Sequence, residues 1–414
     1  MTPRQRVASH IAALRVPAAL ALALLLPLHF TAVAPGGWGL TLSAGDLFVA
    51  AAIVVMSASI ARQLRASPPV LVGPVLALLG AAALSLMVGV ASGYVLDVGR
   101  GVVDLIKLVG AVAWALATWA LLRGDRSATR ALLRGLTFGG IALAGWAIVR
   151  SLAGDARPVT TFTNPNLFAN FLAAACAALL ATEAMDGTPQ RRRSAWKGLC
   201  AGILLAGLVA TASRGMLLGV VVAAVAALPL VFRRTKALKT LAPGASVALL
   251  VLAAYVVAAP DPASRISRAV EEVTPGEGEE PERKDVGHRM VLWKAALRAF
   301  LEYPLLGAGI GQAALHLEPI VGTPTVVHNT YLSMAAELGV LGLAAGAWLI
   351  LSAGFQLRAF AQREWGAAVA LSCYFIASLV QGLFTNIENF RAFWVLAGVL
   401  VALAPRQDAE KTHL

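Results

Sequence analysis

The sequence predicts an all-α, polytopic integral membrane protein with about twelve transmembrane helices. Hydrophobic residues make up 58% of the chain, charged residues make up 14%, and the mean hydropathy is +0.75. Soluble domains carry about 25% charged residues, so a soluble fold of this length could not cover so much apolar surface. The apolar residues also form runs of about 17–25 residues, the length that crosses a bilayer as a helix.

The first apolar run resembles a secretory signal but is expected to remain as a span. Arg4, Arg6 and Arg15 lie near its start, and Ala32-Val33-Ala34 ends it. Because Pro35 follows directly, we expect no cleavage at this point. The predicted spans are 16–33, 42–61, 69–90, 102–122, 131–149, 166–184, 196–212, 216–232, 241–259, 329–354, 364–384 and 391–405.

Lys and Arg are concentrated in alternate loops, and this asymmetry predicts the orientation. Basic short loops face the cytoplasm, so we expect both termini there as well. The net charge of +12 then reflects topology and does not indicate a nucleic-acid partner. The basic clusters are Arg62/Arg65, Arg123/Arg126/Arg130/Arg134, Arg191/Arg192/Arg193/Lys197, Arg233/Arg234/Lys236/Lys239 and Arg358/Arg363.

This orientation divides the chain into three segments. Residues 1–259 hold the first nine spans, 260–328 form one long outer loop, and 329–414 hold the last three spans and a cytoplasmic tail. The apolar run 198–232 has basic clusters on both sides, which requires an even number of crossings. We therefore predict a tight helical hairpin with Arg214 of Ser213-Arg214-Gly215 at its outer tip.

The outer loop begins with a polar, glycine-rich acidic tract at residues 271–280. A metal site is one interpretation, but nothing orders these carboxylates at ligand spacing. A solvated linker is favoured, because such a composition cannot bury a core.

An amphipathic helix is predicted after this tract, over residues 287–302. Lys294, Arg298 and Glu302 would form one polar stripe, and Trp293 would lie on the opposite, apolar face. Arg289 projects onto the apolar side. A cation there either snorkels from the membrane interface or has an anionic partner. The sequence pattern does not distinguish between these two interpretations.

Two further motifs follow in the outer loop. Residues 304–311, Pro-Leu-Leu-Gly-Ala-Gly-Ile-Gly, lack the Lys-Ser/Thr of a phosphate-binding loop and follow a helix, so we predict a flexible turn. His328 comes directly before a span. It is either an interfacial residue beside a helix capped by Asn329 or Thr330, or a neutral imidazole that acts as a base.

Together these motifs resemble the O-antigen ligase and polymerase superfamily, and they occur in that family's order. The resemblance covers roughly residues 160–345, and hydropathy alone extends it to the flanking helices. The matching segments are Thr163-Asn164-Pro165-Asn166-Leu167-Phe168-Ala169, Ser213-Arg214-Gly215, Arg289 with Trp293, residues 304–311, His328-Asn329-Thr330-Tyr331-Leu332 and Glu337-Leu338-Gly339.

The resemblance implies an inverting, metal-independent glycosyltransferase of the GT-C kind in the bacterial inner (cytoplasmic) membrane, with its active site on the periplasmic face. Its donor would be an undecaprenyl-diphosphate-linked glycan and its acceptor the lipid A–core oligosaccharide. The family's essential residues fall on Arg214, Arg289 and His328, with no metal and no cofactor. Substrate-binding positions implied in the same way are Asn164, Asn166, Trp293, Asn329, Tyr331 and, on a looser match, Glu388.

The chemistry of the transfer fits these residue types. Two guanidiniums can bind the oxygens of a diphosphate leaving group and keep their charge at any accessible pH. A neutral histidine can remove the proton of the acceptor hydroxyl.

Two other classes of function stay open at this point. A polymerase or a protein oligosaccharyltransferase of the same superfamily would use the same arginines and histidine with another acceptor. A transporter or flippase would use ionisable residues at mid-membrane, and Asp104 with Lys107 is the candidate pair, although a structural i,i+3 pair is favoured.

Overall fold

The computed structural model describes thirteen helices, one short 3₁₀ turn and one β-hairpin. The described residues are 3–33, 39–66, 68–155, 157–162, 164–186, 191–232, 250, 286–321 and 325–403. The elements are α1 Pro3–Leu25, β1 His29–Val33, β2 Gly39–Ser43, α2 Ala44–Ala66, α3 Val72–Ala91, α4 Val98–Leu122, α5 Arg126–Leu152, α6 Pro165–Asp186, α7 Arg191–Ala210, α8 Arg214–Phe232, α9 Val286–Glu302, α10 Ala313–Val321, α11 Thr330–Ala361, α12 Trp365–Gln381, the 3₁₀ turn Ile387–Asn389 and α13 Arg391–Leu403.

The predicted polytopic membrane architecture is confirmed. Among the described residues, six helices are long and apolar enough to cross a bilayer, namely α2, α3, α4, α5, α6 and α11. Apolar stretches of α1, α7, α8, α12 and α13 are shorter. The ninth predicted span, 241–259, lies outside the described residues except for residue 250, as does the acidic tract 271–280.

The first predicted span is wrong at its C-terminal end. It was expected to continue to residue 33, but α1 ends at Leu25 and residues 29–33 form β1, which pairs antiparallel with β2. Pro27 follows the helix by two residues and cannot continue it. Phe30, Thr31 and Val33 are residue types that favour an extended chain.

The chain reverses at residues 211–213, where α7 ends and α8 begins, as the charge argument required. The two helices do not form a tight pair, however. Gly207 of α7 meets Ala144 of α5, while Gly219 of α8 meets the backbone of Ala377 in α12. Small residues let helix backbones approach closely in membranes, so each helix of the predicted hairpin is held by a different neighbour.

Helix α6 lies at the centre of the bundle and fixes which helix ends lie together. Phe168, Phe171 and Leu172 are fully buried, and α6 packs against α5, α7 and α12. Its first residues contact the end of α12 and the start of α8. We call this the upper end of the bundle.

The basic clusters meet at the opposite, lower end. Arg126 pairs with Glu364 at 2.8 Å, and Arg134 pairs with Asp186 at 3.0 Å. These exposed pairs contribute little to stability individually. They show that the loops predicted to share one side of the membrane do lie at one end of the molecule.

Helix α11 is interrupted at Gly339, where φ is +63° and ψ is −157°. Residues 304–309 lie against this interruption and supply the missing backbone partners. Val340 N donates to Pro304 O at 2.8 Å, and Ala308 N donates to Ala336 O at 2.8 Å. A side chain on Gly307 would overlap the Glu337 backbone. The glycine motif is a turn, as predicted, but its glycines allow close backbone contact with α11.

A half-buried ion pair joins the start of α2 to the start of α13. Arg391 Nε and Nη2 donate to the two carboxylate oxygens of Asp46 at 2.8 and 2.6 Å, and Trp114 Nε1 donates to the same carboxylate at 2.7 Å. Trp114 lies sixteen residues beyond the start of α4 at Val98, about 24 Å along a helix. Asp46 lies in the first turn of α2 and Arg391 is the first residue of α13, so the pair joins the starts of these two helices beside Trp114.

Candidate functional site

The start of α6 and the turn before α8 are joined by hydrogen bonds at the upper end. Asn164 Oδ1 accepts from Asn166 N at 2.8 Å, which holds the first turn of α6. Asn166 Oδ1 accepts from Ser213 Oγ at 2.8 Å, and Gln381 Nε2 donates to Asn166 O at 3.0 Å. The predicted residues Asn164 and Asn166 therefore position the Arg214 turn.

Arg214 is the first residue of α8, and its side chain is exposed. The turn before it contains Ala212 at a φ of +51°, and Ser213 is fully buried. Backbone amides at a helix start carry a partial positive charge, which adds to that of the guanidinium. This turn suits an anion.

His328 sits in a strained turn directly before α11. Its φ is +53°, a left-handed conformation that is uncommon outside glycine and costs about 1–3 kcal/mol. Asn329 Oδ1 accepts from Tyr331 N at 3.0 Å and Leu332 N at 3.1 Å. Of the two cap candidates in the sequence, Asn329 and Thr330, it is Asn329 that caps α11. The cap leaves His328 one residue outside the positive end of α11.

Thr330 attaches this turn to the segment that contains Glu388. Its hydroxyl accepts from Ile387 N at 2.8 Å and donates to Thr385 O at 2.9 Å. Glu388 Oε2 lies 3.2 Å from the same hydroxyl, and Glu388 Oε1 accepts from Asn386 Nδ2 at 2.8 Å. Because the hydroxyl has only one hydrogen, the contact between Glu388 and Thr330 is best made by a protonated carboxyl. Burial raises the pKa of Glu388, which favours the same state.

Tyr331 is engaged in the scaffold. Its hydroxyl donates to Leu379 O at 2.7 Å, which ties α11 to the end of α12. A substrate role was implied for Tyr331 by resemblance, and this bond gives its hydroxyl a structural partner. The ring remains partly exposed.

Helix α9 places Trp293 in an apolar cluster that adjoins the His328 turn. Lys294, Arg298 and Glu302 are exposed, as the predicted polar stripe requires. Trp293 packs against an apolar cluster that includes Leu292, Ala296, Val327 and Ala336. Val327 is the neighbour of His328 in the chain. Arg289 lies one turn before Trp293 and is partly buried.

A polar chamber of about 350 Å³ opens between α4, α11 and the 3₁₀ turn. Its walls combine charged and neutral polar side chains with apolar ones. Asp104 and Lys107 pair at 2.7 Å, so the predicted structural i,i+3 pair is confirmed, and both also line the chamber. The polar lining residues are Arg100, Asp104, Lys107, Thr330, Ser333, Glu337, Asn386, Glu388 and Asn389.

The sequence pattern assigned no site role to Arg100, indicated Asp104 and Lys107 only as the candidate pair of a transporter, and included Glu337 only in a matching segment. Charged residues inside apolar spans are rare and mark functional sites by default, so the signal was present in α4 and α11. What the sequence pattern could not show is that these residues face one another. Within the described residues, no group of three His, Cys, Asp or Glu side chains is arranged to hold a metal.

Residues 199–347 match the family model of the O-antigen ligases. The match confirms the resemblance to the O-antigen ligase and polymerase superfamily. No curated protein matched the chain.

The segment similar to O-antigen ligases begins in α7 and ends in α11. It contains Arg214, Arg289 and His328, together with the glycine turn that fills the interruption of α11. Asn166 and Glu388 lie outside it and contact it through Ser213 and Thr330. Residues from α6 and from the segment after α12 therefore contact the segment that is similar to O-antigen ligases.

Proposed function

We propose that this protein is a GT-C-like glycosyltransferase of the bacterial inner membrane that transfers an undecaprenyl-diphosphate-linked glycan en bloc to lipid A–core oligosaccharide. The observation that carries the proposal is the convergence of the Arg214 turn and the His328 turn at the upper end, inside the segment similar to O-antigen ligases. Trp293, on the same helix as Arg289, packs in the apolar cluster that includes Val327, the residue before His328.

In the proposed reaction the two guanidiniums of Arg214 and Arg289 bind the diphosphate of the donor. A bidentate guanidinium matches phosphate oxygens and stays charged. The acceptor oxygen attacks the anomeric carbon, a new C–O bond forms, and the bond to the diphosphate breaks with its electron pair leaving on the phosphate. His328 takes the proton of the acceptor hydroxyl. The arginines stabilise the charge that develops on the leaving group.

The lower end is proposed to face the cytoplasm, because the basic loops collect there. The upper end, with Arg214 and His328, then faces the periplasm. Both termini would be cytoplasmic, and the protein's partners would be the lipid-linked donor, the lipid A–core acceptor and the surrounding membrane lipids.

The test is transfer by the purified protein in proteoliposomes. A radiolabelled undecaprenyl-diphosphate glycan is supplied with lipid A–core, with a second lipid-linked glycan, or with a serine-containing peptide. We expect a new covalent product with lipid A–core. A product only with the second or third acceptor would make the protein a polymerase or a protein oligosaccharyltransferase. Movement of donor across the bilayer with no product would instead indicate a flippase.

A further inference from the structure

The polar chamber beside α11 has the composition of a carbohydrate site. Its donors include Arg100, Lys107 and Asn386, and its acceptors include Asp104 and Glu337. Sugar hydroxyls both donate and accept hydrogen bonds, so they can use such a mixed lining. The volume of about 350 Å³ is at the low end of ligand pockets, about 300–1,000 Å³, which suits one sugar residue better than a whole repeat unit.

The chamber is unsuited to the other parts of the substrates. Its two cations, Arg100 and Lys107, are accompanied by acidic side chains, and Lys107 already pairs with Asp104 at 2.7 Å, which leaves little net positive charge for a diphosphate. An isoprenoid chain would leave these polar groups without hydrogen-bond partners, at a high cost in free energy. Asn386 Oδ1 is already buried with no donor in reach among the described residues.

The first turn of α11 separates the chamber from the Arg214 side. Thr330 N donates to Gly382 O at 2.8 Å on the side of α12, where Gly215 meets Phe384. Thr330 and Ser333 line the chamber on the other side, and Val327 does so just before His328. In a single displacement the nucleophile and the leaving group lie on opposite sides of the anomeric carbon. If the donor diphosphate is bound at Arg214, the nucleophile therefore approaches the anomeric carbon from the side of the chamber.

We propose that this chamber is the subsite for the sugar residue of the acceptor whose hydroxyl is glycosylated. The inference rests on the proposed transfer reaction and assigns a binding role to Asp104, Glu337 and Asn386. The wall of the chamber is held in place by the glycine turn. A side chain at Gly311 would come within 2.7 Å of Asp104 Oδ2, and Gln312 Oε1 accepts from Leu96 N and Asp97 N at 3.0 Å.

The first test separates acceptor binding from donor binding. Glu337→Gln keeps the shape of the side chain but replaces one carboxyl oxygen by an amide nitrogen, which changes the hydrogen bonds offered to the sugar, so the KM for lipid A–core should rise about tenfold or more. The KM for the lipid-linked donor and the slow hydrolysis of donor by water should stay unchanged. Glu364→Gln, the same change at the lower end, is the control and should leave all three values as in the parent protein. A rise in the donor KM, or no change in either KM, would overturn the subsite.

The second test reads binding without transfer. Ser333→Cys is made in a background lacking Cys176, Cys200 and Cys373, and a small cationic methanethiosulfonate labels the new thiol. Lipid A–core should slow the labelling, whereas undecaprenyl diphosphate should not. Protection by undecaprenyl diphosphate alone, or a thiol that never reacts, would contradict the proposal. If protection by lipid A–core is seen but no product forms in the transfer assay, the proposed function fails and the acceptor-binding chamber survives.

Discussion

At the scale of single residues, His328 combines an uncommon backbone conformation with a position just outside a helix start. Strain of this kind persists where the surrounding structure holds it, and it clusters at functional sites. The Asn329 cap and the Thr330 hydrogen bonds hold the turn from one side. Those bonds are made by backbone atoms and by the side chains of Asn329 and Thr330.

His328→Asn is the sharpest variant for separating catalysis from folding. Asn tolerates the left-handed conformation, so the protein should fold normally, yet Asn cannot accept a proton. The rate of transfer should fall by a factor of about 10²–10⁴. The activity of the parent protein should decline on acidification, and the residual activity of the variant should not show this decline. The measurement is the pH profile of transfer in proteoliposomes. If His328→Asn is well expressed and transfers at the normal rate, His328 is an interfacial residue and not the base.

Arg289→Lys tests whether a planar, two-pronged donor is required. Lys keeps the charge but binds phosphate as a point charge, so the rate of transfer should fall at least tenfold. Arg298→Lys makes the same change on the exposed stripe of α9 and should leave the rate unaltered. Equal rates for the two variants would remove Arg289 from the diphosphate site.

Glu388 makes stability depend on pH in a defined direction. Burial raises the pKa of Glu388, so the native state holds this proton more tightly than the unfolded state does. Its contribution to the free energy of unfolding is therefore present in acid and declines as pH rises above the ordinary Glu range. Glu388→Gln mimics the protonated form and should flatten this decline. Thermal unfolding in detergent between pH 4 and pH 8 measures this pH dependence. If stability changed with pH equally in the parent protein and in Glu388→Gln, the role assigned to Glu388 would be contradicted.

At the scale of elements, the interruption of α11 at Gly339 depends on residues 304–309, which lie outside this helix. The glycines of residues 304–311 were visible in the sequence, and so was the apolar run of α11. Their contact was not, because backbone bonds such as that from Val340 N to Pro304 O leave no local periodicity. For the same reason α11 was predicted as an uninterrupted span.

Gly307→Ala should destabilise this contact strongly. The residue has a φ of +72°, and a methyl group would overlap the Glu337 backbone. The free energy of unfolding should fall by about 1–3 kcal/mol or more. Gly80→Ala lies in α3 with open space around it and should be neutral or slightly stabilising. Thermal stability in detergent compares the two, and similar values would show that the turn tolerates a side chain.

At the scale of the whole molecule, the charge pattern predicted the grouping of helix ends well. Motif order pointed to Arg214, Arg289 and His328, which lie within the segment that matches the O-antigen ligase model. The chamber was missed because its charged residues come from α4 and α11, which are separated by more than two hundred residues. A helical pattern shows which face of one helix is apolar, but it does not show which helices become neighbours. That information appears only in the packed bundle.

Two isosteric cysteine variants test the orientation. Ser92 at the end of α3 and Ser127 at the start of α5 are exposed at the upper and lower ends, respectively. In a background lacking the native cysteines, Ser92→Cys should react with a membrane-impermeant thiol reagent in spheroplasts. Ser127→Cys should react only after lysis. The opposite pattern would move the candidate site to the cytoplasmic face.

The ion pair between Asp46 and Arg391 has a consequence for how the protein is made. The two residues are 345 positions apart, so α2 is synthesised long before Arg391 becomes available. Asp46 lies in the first turn of α2, and a carboxylate in an apolar span raises the cost of insertion. A helix that is made later, α13, thus supplies the partner of a charge in α2. Nascent chains that stall before α13 would lack this pairing, which distinguishes them chemically from finished molecules.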